Sequence, residues 1–390
     1  MNQIKKKVCV TGLGYVGLPT ACILANSGYS VLGVDTDENV LERVKSAKLI
    51  NRETNLEKLL INVLHNGYLR VSKDVAHANI HIVAVPTPLN SDKSPDISYV
   101  YSAIEAMKPL LRSGDLVLIE STCPIGTTEK IENKYQLLDI GIHLAYCPER
   151  VLPGNILNEL IHNHRVVGGI DNLSTSVAAD FYRSFIIGDV LVTDARTAEA
   201  VKLAENSYRD VNVAFANELS MIADHNHVDV DVLIKLANRH PRVQILQPGT
   251  GVGGHCIAVD PWFLVSSAPQ FSTLISSSRA VNTKKTKWVT QKIRNAIRQS
   301  DVKKIVCLGL TYKANVADTR QSSALAIVQS LEREFNILRV DPYVQNTEFL
   351  HDALSQADMI VALVGHKEFL NIPSNLIEGK ILLDFAGVFK

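Results

Sequence analysis

A strand-type run that leads directly into three spaced glycines constrains the fold of the chain most strongly. Residues Lys7–Thr11 are apolar and β-branched, and Gly12, Gly14 and Gly17 follow in the spacing G-x-G-x-x-G. A helix-type segment comes next, and a second strand-type run ends at Asp35. Strand, glycine turn, helix, strand and acid in this order predict a parallel sheet with helices packed on it.

The same order of residues predicts a dinucleotide site. The first glycine makes a tight turn, the second lets a pyrophosphate approach, and the third lets helix and strand pack closely. The pyrophosphate lies on the helix N-terminus, so Tyr15 and Val16, between the second and third glycines, belong to the predicted site. The Asp35 carboxylate can accept hydrogen bonds from both adenosine ribose hydroxyls and would repel a 2′-phosphate, which predicts NAD rather than NADP.

Two further strand-type runs in the first third end in hydroxyl residues. The first run ends at Thr87, and the second ends at Ser121 and Thr122. Because ligands lie across the carboxyl ends of the strands in an open parallel sheet, we expect all three residues at the NAD site. An ordinary helix cap is the alternative for Ser121.

Length, charge and cysteine usage limit the classes of protein to which the chain can belong. At 390 residues the chain is expected to hold two or three domains. Lysine plus arginine equals aspartate plus glutamate at 40 each, so no overall field favours nucleic acid or a membrane surface. No signal-peptide pattern or membrane-spanning run is present in the sequence. The six cysteines lack metal-type spacing, which predicts no metal site and a cytoplasmic protein with reduced thiols.

A stretch without glycine or proline from Asp189 to His240 predicts a long helix. Thr193 and Asp194 are candidate caps for its start. A helix of roughly 25 to 30 residues would span about 40 Å, enough to link two domains, and would offer a surface to a twofold partner, so we expect a homodimer. Apolar residues recur on one face in steps of three and four, at Val201, Ala204, Tyr208, Val211, Phe215, Leu219 and Ile222.

A polar stripe on this helix has two possible interpretations. Lys202, Asn206 and Arg209 lie at i, i+4 and i+7. Such a stripe is usually a solvated face. Lysine and asparagine one turn apart are also the donors that an anion-stabilising site would use. Spacing alone does not choose between the two.

The segment Gly251–Phe263, with the sequence GVGGHCIAVDPWF, presents a cysteine in a glycine-rich loop. Cys256 follows two adjacent glycines closely and precedes Asp260 by four residues. Glycines allow close backbone approach to a ligand, which favours a presented, nucleophilic thiol. A small buried hydrophobe is the equally weighted alternative. Glu149, in a proline-bounded loop, is likewise a surface carboxylate or a residue that faces the thiol.

The last third repeats the alternation of strands and helices. A strand at Lys303–Gly309 and later ones ending at Asp341, Gly365 and Asp384 predict a second parallel sheet. The glycine fingerprint is missing here, so we expect a different ligand. The expected fold is α/β, with two Rossmann-like doubly wound parallel-sheet domains joined by a long central helix. The expected boundaries are 1–192 for NAD binding, 193–298 for the central dimerisation domain with the cysteine loop, and 299–390 for the second ligand.

Three residues beyond the strand ends of the last third are candidate ligand contacts. Lys313 and Arg320 follow the first of these strands, where a phosphate would be met. His366 follows a later strand and is a candidate contact to a base or ribose. A surface position is the alternative for each.

Taken together, the chain resembles the nucleotide-sugar 6-dehydrogenases, the UDP-glucose/UDP-hexosaminuronate dehydrogenase family, over essentially its whole length. The motifs that carry the resemblance are GLGYVGLP at 12–19, STCPIGTT at 121–128, YCPERVLPG at 146–154, KLAENSYRDVNVAFANE at 202–218, GVGGHCIAVDP at 251–261 and YKANVADTR at 312–320.

The resemblance implies two successive oxidations at the sugar C6, each passing a hydride to NAD. It implies that Cys256 forms a thiohemiacetal and then a thioester, which water hydrolyses. Lys202 and Asn206 would stabilise oxyanions at C6, and Asp260 would assist proton transfer. Glu149 or Asp260 would be the base for hydrolysis, and Thr122 would help to place water and nicotinamide.

The resemblance also implies where a substrate and phosphates are held. Arg320 would lie near the cofactor phosphates. The substrate-binding residues would be Glu149, Arg150, Val151, Lys202, Asn206, Arg209, Arg242, Gly253 and Lys313. Arg242 takes the role of a partner-donated arginine, although a gapless count places that position at His240.

Departures from the family pattern narrow the substrate to a UDP-N-acetylhexosamine. Relatives that act on UDP-glucose have a glutamate four residues after the Glu149 position, where this chain has Pro153. The motifs and Ala258 favour UDP-N-acetyl-D-mannosamine over UDP-N-acetylglucosamine. A non-catalytic protein that binds NAD or a nucleotide sugar is the alternative from another class.

Overall fold

The computed structural model describes residues 5–49, 55–151 and 154–389, and Pro153 therefore lies outside the described residues. These residues divide into two compact units, one within Met1–Glu205 and Trp262–Ser267 and the other within Asn206–Pro261 and Ala268–Lys390. The border falls between Glu205 and Asn206, inside the long helix. The three-domain division expected from the sequence stays a prediction.

The first unit is built on an eight-stranded sheet with the order β3-β2-β1-β4-β5-β6-β7-β8. Neighbouring strands are parallel except β6 and β7, which are antiparallel. The strands are β1 (Lys5–Thr11), β2 (Tyr29–Val34), β3 (Leu69–Ser72), β4 (Ile80–Val83), β5 (Leu116–Ile119), β6 (His143–Tyr146), β7 (Arg165–Gly169) and β8 (Val190–Asp194). The helices are α1 (Gly17–Asn26), α2 (Glu38–Lys45), α3 (Leu56–His65), α4 (Ser98–Met107), α5 (Thr127–Tyr135), α6 (Ile156–His162) and α7 (Asn172–Arg183).

Helices cover both faces of this sheet. Ile82 and Leu118 belong to one buried apolar cluster, whereas their neighbours Val83 and Val117 belong to another. Successive strand residues point to opposite faces, so the two clusters are the two sides of a doubly wound sheet.

The second unit contains a four-stranded parallel sheet with the order β10-β9-β11-β12. Its strands are β9 (Ile305–Leu308), β10 (Ile337–Val340), β11 (Met359–Ala362) and β12 (Ile381–Asp384). The remaining helices of the chain are α8 (Ala195–His225), α9 (Val230–Ala237), α10 (Pro261–Ser267), α11 (Thr273–Arg298), α12 (Ser323–Leu331) and α13 (Leu350–Gln356). Short 3₁₀ turns lie at Lys108–Leu110, Leu138–Ile140, Pro269–Phe271, Lys367–Phe369 and Ser374–Leu376.

The expected fold class is confirmed, with two α/β sheets and a long helix between them in chain order. The antiparallel β6–β7 pair and the strands β3, β7 and β8 were not expected. Strand β8 lies inside the stretch that lacks glycine and proline, and its burial does not follow a clear alternation. Among the described residues, no helix combines the length and apolar character needed to cross a bilayer.

The long helix α8 is confirmed and has 31 residues. Its start is capped by Asp194, whose Oδ1 accepts a hydrogen bond from the Thr197 backbone N–H at 2.9 Å. The predicted apolar face is largely exposed, since Tyr208 is 70% and Phe215 and Ile222 are each 54% exposed. Several polar side chains of α8 are buried instead.

Candidate active site

The glycine turn after β1 has the spacing of a dinucleotide site and the open space that such a site needs. Gly12 adopts φ +94°, and a Cβ there would overlap the Ala84 carbonyl. A Cβ at Gly17 would overlap the Gly12 carbonyl oxygen. A Cβ at Gly14 would meet nothing within 4 Å. The first and third glycines are thus required by packing, whereas the second leaves room for a ligand.

Asp35 fastens this turn to the end of β2. Its Oδ2 accepts a hydrogen bond from the Leu13 N–H at 2.8 Å, and its Oδ1 accepts one from the Asp37 N–H at 3.0 Å. Each carboxylate oxygen can accept a further bond, so ribose hydroxyls can still be held. Tyr15 and Val16 are half-buried at the start of α1. The turn and the acid therefore fit NAD.

The hydroxyl residues beyond β4 and β5 lie where the sequence predicts them. Ser121 is buried, accepts a hydrogen bond from the Val85 N–H at 2.9 Å and donates to the Val85 oxygen at 2.8 Å. This side chain ties the two loops together, so the helix-cap alternative is wrong. Thr87 and Thr122 are half-buried beyond the same two strands.

Glu149 is a buried carboxylate, and the surface alternative is therefore wrong. It is 7% exposed; its Oε1 accepts a hydrogen bond from the Arg150 N–H at 2.5 Å and its Oε2 accepts one from Arg165 Nη1 at 3.2 Å. Burial opposes the charge of Arg165, but the negative groups around it, Glu149 first, raise the pKa of its guanidinium.

Lys202, from α8, joins the Glu149 segment within the first unit. Its Nζ donates a hydrogen bond to the Glu149 backbone oxygen, and the side chain is half-buried. Arg150 pairs with Glu205, with Nε at 3.1 Å from Oε2 and Nη2 at 2.5 Å from Oε1. Val151 packs against a small apolar cluster. Lys202 is therefore not part of a fully solvated stripe.

The second unit holds Cys256 in a turn that ends at Asp260. The Cys256 oxygen accepts hydrogen bonds from the Val259 N–H at 2.9 Å and the Asp260 N–H at 2.8 Å. Asp260 is 3% exposed, and its Oδ2 accepts a hydrogen bond from Asn206 Nδ2 at 2.5 Å. Cys256 is half-buried, whereas the other five cysteines are buried. The alternative of a fully buried structural cysteine is thus wrong.

The glycines before Cys256 pack closely on the segment after β9. A Cβ at Gly253 would lie 2.5 Å from the Gln321 oxygen, and the Gly254 N–H donates to the Arg320 oxygen at 3.1 Å. Next to them, burial first and then the charge of Asp318 raise the pKa of Tyr312 to about 12. The loop is therefore shaped by backbone contacts that larger residues would prevent.

The basic residues named from the sequence are mostly exposed. Lys313 and Arg320 follow β9, as expected, and Arg320 Nη2 pairs with Asp318 Oδ2 at 2.6 Å. That pairing raises the pKa of the Arg320 guanidinium. Arg209 and Arg242 are also exposed.

His366 is not available to a base or ribose, contrary to expectation. It is 0% exposed; its Nδ1 accepts a hydrogen bond from the Asn315 N–H at 2.9 Å, and its Nε2 lies 3.1 Å from Asp341 Oδ2. Asp341 also accepts a hydrogen bond from the Leu310 N–H at 2.6 Å, much as Asp35 holds Leu13 in the first sheet. Asp35 directly follows β2, and Asp341 directly follows β10.

Glu199, which was not predicted from the sequence, anchors the loop that carries Thr122. Glu199 is buried on α8, and its Oε1 accepts hydrogen bonds from the Thr128 N–H at 2.8 Å and the Thr128 hydroxyl at 2.7 Å. Burial raises the pKa of this carboxyl. A lone glutamate on a long helix carries no signal of such a role in the sequence.

All three domains of one enzyme family match the chain. The NAD binding domain of the UDP-glucose/GDP-mannose dehydrogenase family matches residues 6–186, its central domain matches residues 196–284, and its UDP binding domain matches residues 306–390.

Two relatives are similar to the chain along almost their full length. A UDP-N-acetyl-D-mannosamine dehydrogenase of Campylobacter jejuni is 43% identical, with 97% of this chain and 99% of the relative covered. An NDP-N-acetyl-D-galactosaminuronic acid dehydrogenase of Ralstonia nicotianae is 42% identical, with 98% and 96% covered.

Two solved structures are also similar to the chain. A UDP-D-ManNAc dehydrogenase from Pyrococcus horikoshii superposes with a TM-score of 0.93 at 37% identity, with 98% of this chain and 96% of that chain covered. The UDP-N-acetyl-mannosamine dehydrogenase of Staphylococcus aureus gives a TM-score of 0.90 at 36% identity, with 98% and 99% covered.

Proposed function

The chain belongs to the UDP-glucose/GDP-mannose dehydrogenase family and is an NAD-dependent UDP-sugar dehydrogenase, and we propose that it carries out a four-electron oxidation. The C6 alcohol of a UDP-N-acetylhexosamine, with UDP-N-acetyl-D-mannosamine favoured, becomes a uronic acid. The half-buried Cys256, the least buried of the six cysteines, carries this proposal, because a reaction that stopped after one oxidation would have no use for a presented thiol.

The first oxidation needs a proton acceptor and a donor to the oxygen at C6. NAD, when bound, would accept one hydride in each oxidation, so NADH has to leave and a second NAD has to bind between the two oxidations. Asp260, with a water or Lys202, takes the proton of the C6 hydroxyl. The Lys202 ammonium and the Asn206 amide stabilise the oxygen as charge develops on it. Asn206 Nδ2 has two hydrogens, so its bond to Asp260 leaves one for the substrate.

The second oxidation requires a covalent step at Cys256. The Sγ thiolate adds to the C6 aldehyde, which forms a C–S bond and a thiohemiacetal whose oxygen takes up a proton. Loss of that proton and of the C6 hydride leaves a thioester. Water then breaks the C–S bond, and Glu149 or Asp260 accepts the proton of the water. Thr122 helps to place that water. The thiol is regenerated and the carboxylate is released.

Separate sets of residues would bind NAD, the phosphates and the sugar substrate. Gly12, Gly14, Gly17 and Asp35 fit NAD by their geometry. Arg320 and Lys313 remain candidates for phosphates, because their exposed side chains carry charge near the cysteine loop. Other proposed contacts are Tyr15, Val16, Thr87 and Ser121 for the cofactor, and Arg150, Val151, Arg209, Arg242 and Gly253 for the substrate.

The number of NADH formed per sugar tests the proposal. Two NADH per UDP-N-acetyl-D-mannosamine support it. One NADH would indicate an oxidation that stops at the aldehyde, and none would indicate a non-catalytic binding protein. Parallel assays with UDP-N-acetylglucosamine, UDP-N-acetylgalactosamine and UDP-glucose identify the sugar, since the relatives' substrates differ at similar identity. Highest activity with UDP-N-acetylglucosamine would establish the alternative 6-dehydrogenase.

A homodimer through α8 is supported by the exposed apolar stripe on that helix. Tyr208, Phe215 and Ile222 repeat every seven residues and are each more than half exposed. Replacing Phe215 with glutamate should shift the mass measured by light scattering from a dimer towards a monomer. An unchanged mass would place the interface elsewhere. A cytoplasmic location stays a prediction.

A further inference from the structure

We propose that Asn217 is a positioning residue for the thiol chemistry. Through Gly249 it fixes the glycine-rich loop, residues 247–254, that leads to Cys256, and it does so without contacting the substrate. The inference rests on the role proposed for Cys256 above.

Both the oxygen and the nitrogen of the Asn217 side-chain amide form hydrogen bonds. Asn217 is 0% exposed, its Oδ1 accepts a hydrogen bond from the Gly249 N–H at 2.9 Å, and its Nδ2 donates to Asn282 Oδ1 at 2.9 Å. Reversing the amide would set a donor against the Gly249 N–H and an acceptor against the Asn282 oxygen. The orientation of Asn217 is therefore determined by its partners, one of which is the loop backbone.

A buried polar network holds Asn217 in this orientation. Asn282 Nδ2 donates to Asp210 Oδ1 at 2.8 Å, and Arg279 Nη1 donates to the same oxygen at 2.6 Å. Asp210 is 0% and Asn282 is 1% exposed. The network joins α8 to α11 and ends at the loop. Since a buried polar group that loses its partner destabilises the fold, the members of the network hold one another in place.

One helix anchors the chain on both sides of the thiol. Asn217 binds Gly249, seven residues before Cys256, and Asn206 binds Asp260, four residues after it. The two asparagines are eleven residues apart on α8, which is three helical turns, so they share a face and lie about 16 Å apart along the axis. The loop is thus tied to a rigid element at two points.

The loop needs such anchors because its own sequence favours no single conformation. Gly251 and Gly254 adopt φ +142° and +83°, and glycine has more backbone freedom to lose than any other residue. Ordering each residue of the loop costs backbone entropy, which the anchoring contacts have to offset. Thr250, whose hydroxyl lies 3.0 Å from Ser323 Oγ, ties the middle of the loop. The Gly249 N–H, at the start of the loop, donates its hydrogen bond to the Asn217 side chain.

The alkylation rate of Cys256 by iodoacetamide tests the proposal without any substrate. The other five cysteines are buried, and burial raises the pKa of each of their thiols, so the native protein should react at Cys256. Peptide mapping by mass spectrometry confirms the alkylated residue. The same preparations are assayed for kcat and for KM of the UDP-sugar.

Asn217→Ala should make the loop at residues 247–254 more mobile, because the Gly249 N–H loses its acceptor. We expect alkylation about 5-fold faster, kcat lower by about 10-fold or more, and KM changed by less than about 3-fold, since a misplaced nucleophile slows chemistry more than binding. Asn217→Asp keeps an oxygen for the Gly249 N–H but loses the donor to Asn282 Oδ1, so it should bring both rates only part of the way back to the wild-type values. The control Ser220→Ala removes the neighbouring hydrogen bond from Lys285 to α8 but leaves the Asn217 side-chain amide with its bonds to Gly249 and Asn282, and should leave both rates unchanged.

Two outcomes would overturn the proposal. One is an alkylation rate in Asn217→Ala within about twofold of the wild type, and the other is an equal increase in Ser220→Ala. If Asn217→Ala fails to fold, substitutions of Gly249, the loop residue that donates to Asn217, test the same hydrogen bond. Gly249→Pro removes the N–H, whereas Gly249→Ala keeps it and has open space for its Cβ, whose nearest neighbour is the Gly251 oxygen at 3.9 Å. Faster alkylation in the proline variant alone supports the proposal; equal rates refute it.

Failure of this inference is distinguishable from failure of the proposed function. If Cys256→Ser still formed two NADH per sugar, the proposed chemistry would be wrong, whereas the effect of Asn217 on the alkylation rate would stand.

Discussion

Asn206 donates its side-chain amide to Asp260 at 2.5 Å, and both residues are buried. An amide can satisfy a carboxylate without neutralising it, so Asp260 is held in place and keeps its capacity to accept a proton. Stability and proton transfer at this pair can therefore be separated by substitution.

Asp260→Asn should lower kcat by about 100-fold or more while the melting temperature changes little. The new side chain keeps an oxygen for Asn206 but cannot accept a proton, and general base catalysis contributes about 10² to 10⁴ in rate. Asn206→Leu should instead destabilise the second unit by about 1 to 3 kcal/mol, because it removes the hydrogen bond that Asn206 donates to a buried carboxylate. Steady-state kinetics and urea unfolding measure the two effects. Normal turnover in Asp260→Asn would exclude this residue as the base.

Cys256→Ser should stop the reaction after one oxidation. A serine hydroxyl is a poor nucleophile at neutral pH, so the aldehyde would not be converted into an ester for the second hydride loss. NADH per sugar should fall from two to one or less, while UDP-sugar affinity measured by calorimetry changes little. The matched control is Cys307→Ala, which removes a buried thiol of the same unit and should still give two NADH.

Gly14→Ala should weaken NAD binding, whereas Gly17→Ala should destabilise the fold. Gly14 has open space around its missing Cβ, so the alanine variant should fold normally and lose NAD affinity by about 10-fold or more, which is about 1.4 kcal/mol. A Cβ at Gly17 would overlap the Gly12 oxygen, so that variant should lose about 1 to 3 kcal/mol of stability. Thermal melting with and without NAD distinguishes them. Wild-type NAD affinity in Gly14→Ala would place the pyrophosphate elsewhere.

The buried Lys285 should make the second unit more stable as the pH rises above neutral. Its Nζ donates to Ser220 Oγ at 2.7 Å and lies 4.2 Å from the Trp288 ring centroid, and burial lowers its pKa from 10.5 to about 8. Below pH 8 the charged lysine is buried on folding, which costs stability. Between about pH 8 and 10.5 the folded state loses the proton that the unfolded state keeps, so this cost disappears.

Lys285→Met removes this dependence on pH. Relative to the variant, the wild type should gain up to about 3 kcal/mol between pH 7.5 and 10.5. Urea unfolding of both proteins at several pH values measures the difference. The exposed Lys287→Met is the control and should follow the wild type. Parallel stability curves for the wild type and Lys285→Met would show that Lys285 does not titrate in this range.

The sequence predicted the elements that have a local signature. The turn at Gly12, Gly14 and Gly17, the acid Asp35 and the long helix capped by Asp194 depend on neighbours along the chain, and the structure contains each of them. Strand β8 carried no such signature, because its residues are neither a continuous buried run nor a regular alternation.

Tertiary partners decided what the sequence could not. His366 follows a strand end, as a ligand contact would, but Asp341 and the Asn315 N–H hold it in the interior. The sequence revealed the apolar stripe of α8 but not that the buried positions of this helix include Asp210 and Asn217, whose partners come from residues more than thirty positions away. No periodicity in one helix reveals such partners.

Five cysteines of this chain are buried and the sixth is partly exposed. The chain therefore offers a single accessible thiol, a property that usually has to be engineered. A maleimide dye or a nitroxide spin label should attach at Cys256 alone, with no background substitutions. Labelled protein would report on motion of the loop by fluorescence anisotropy or electron paramagnetic resonance, and electrophilic fragment libraries could be screened against one addressable thiol.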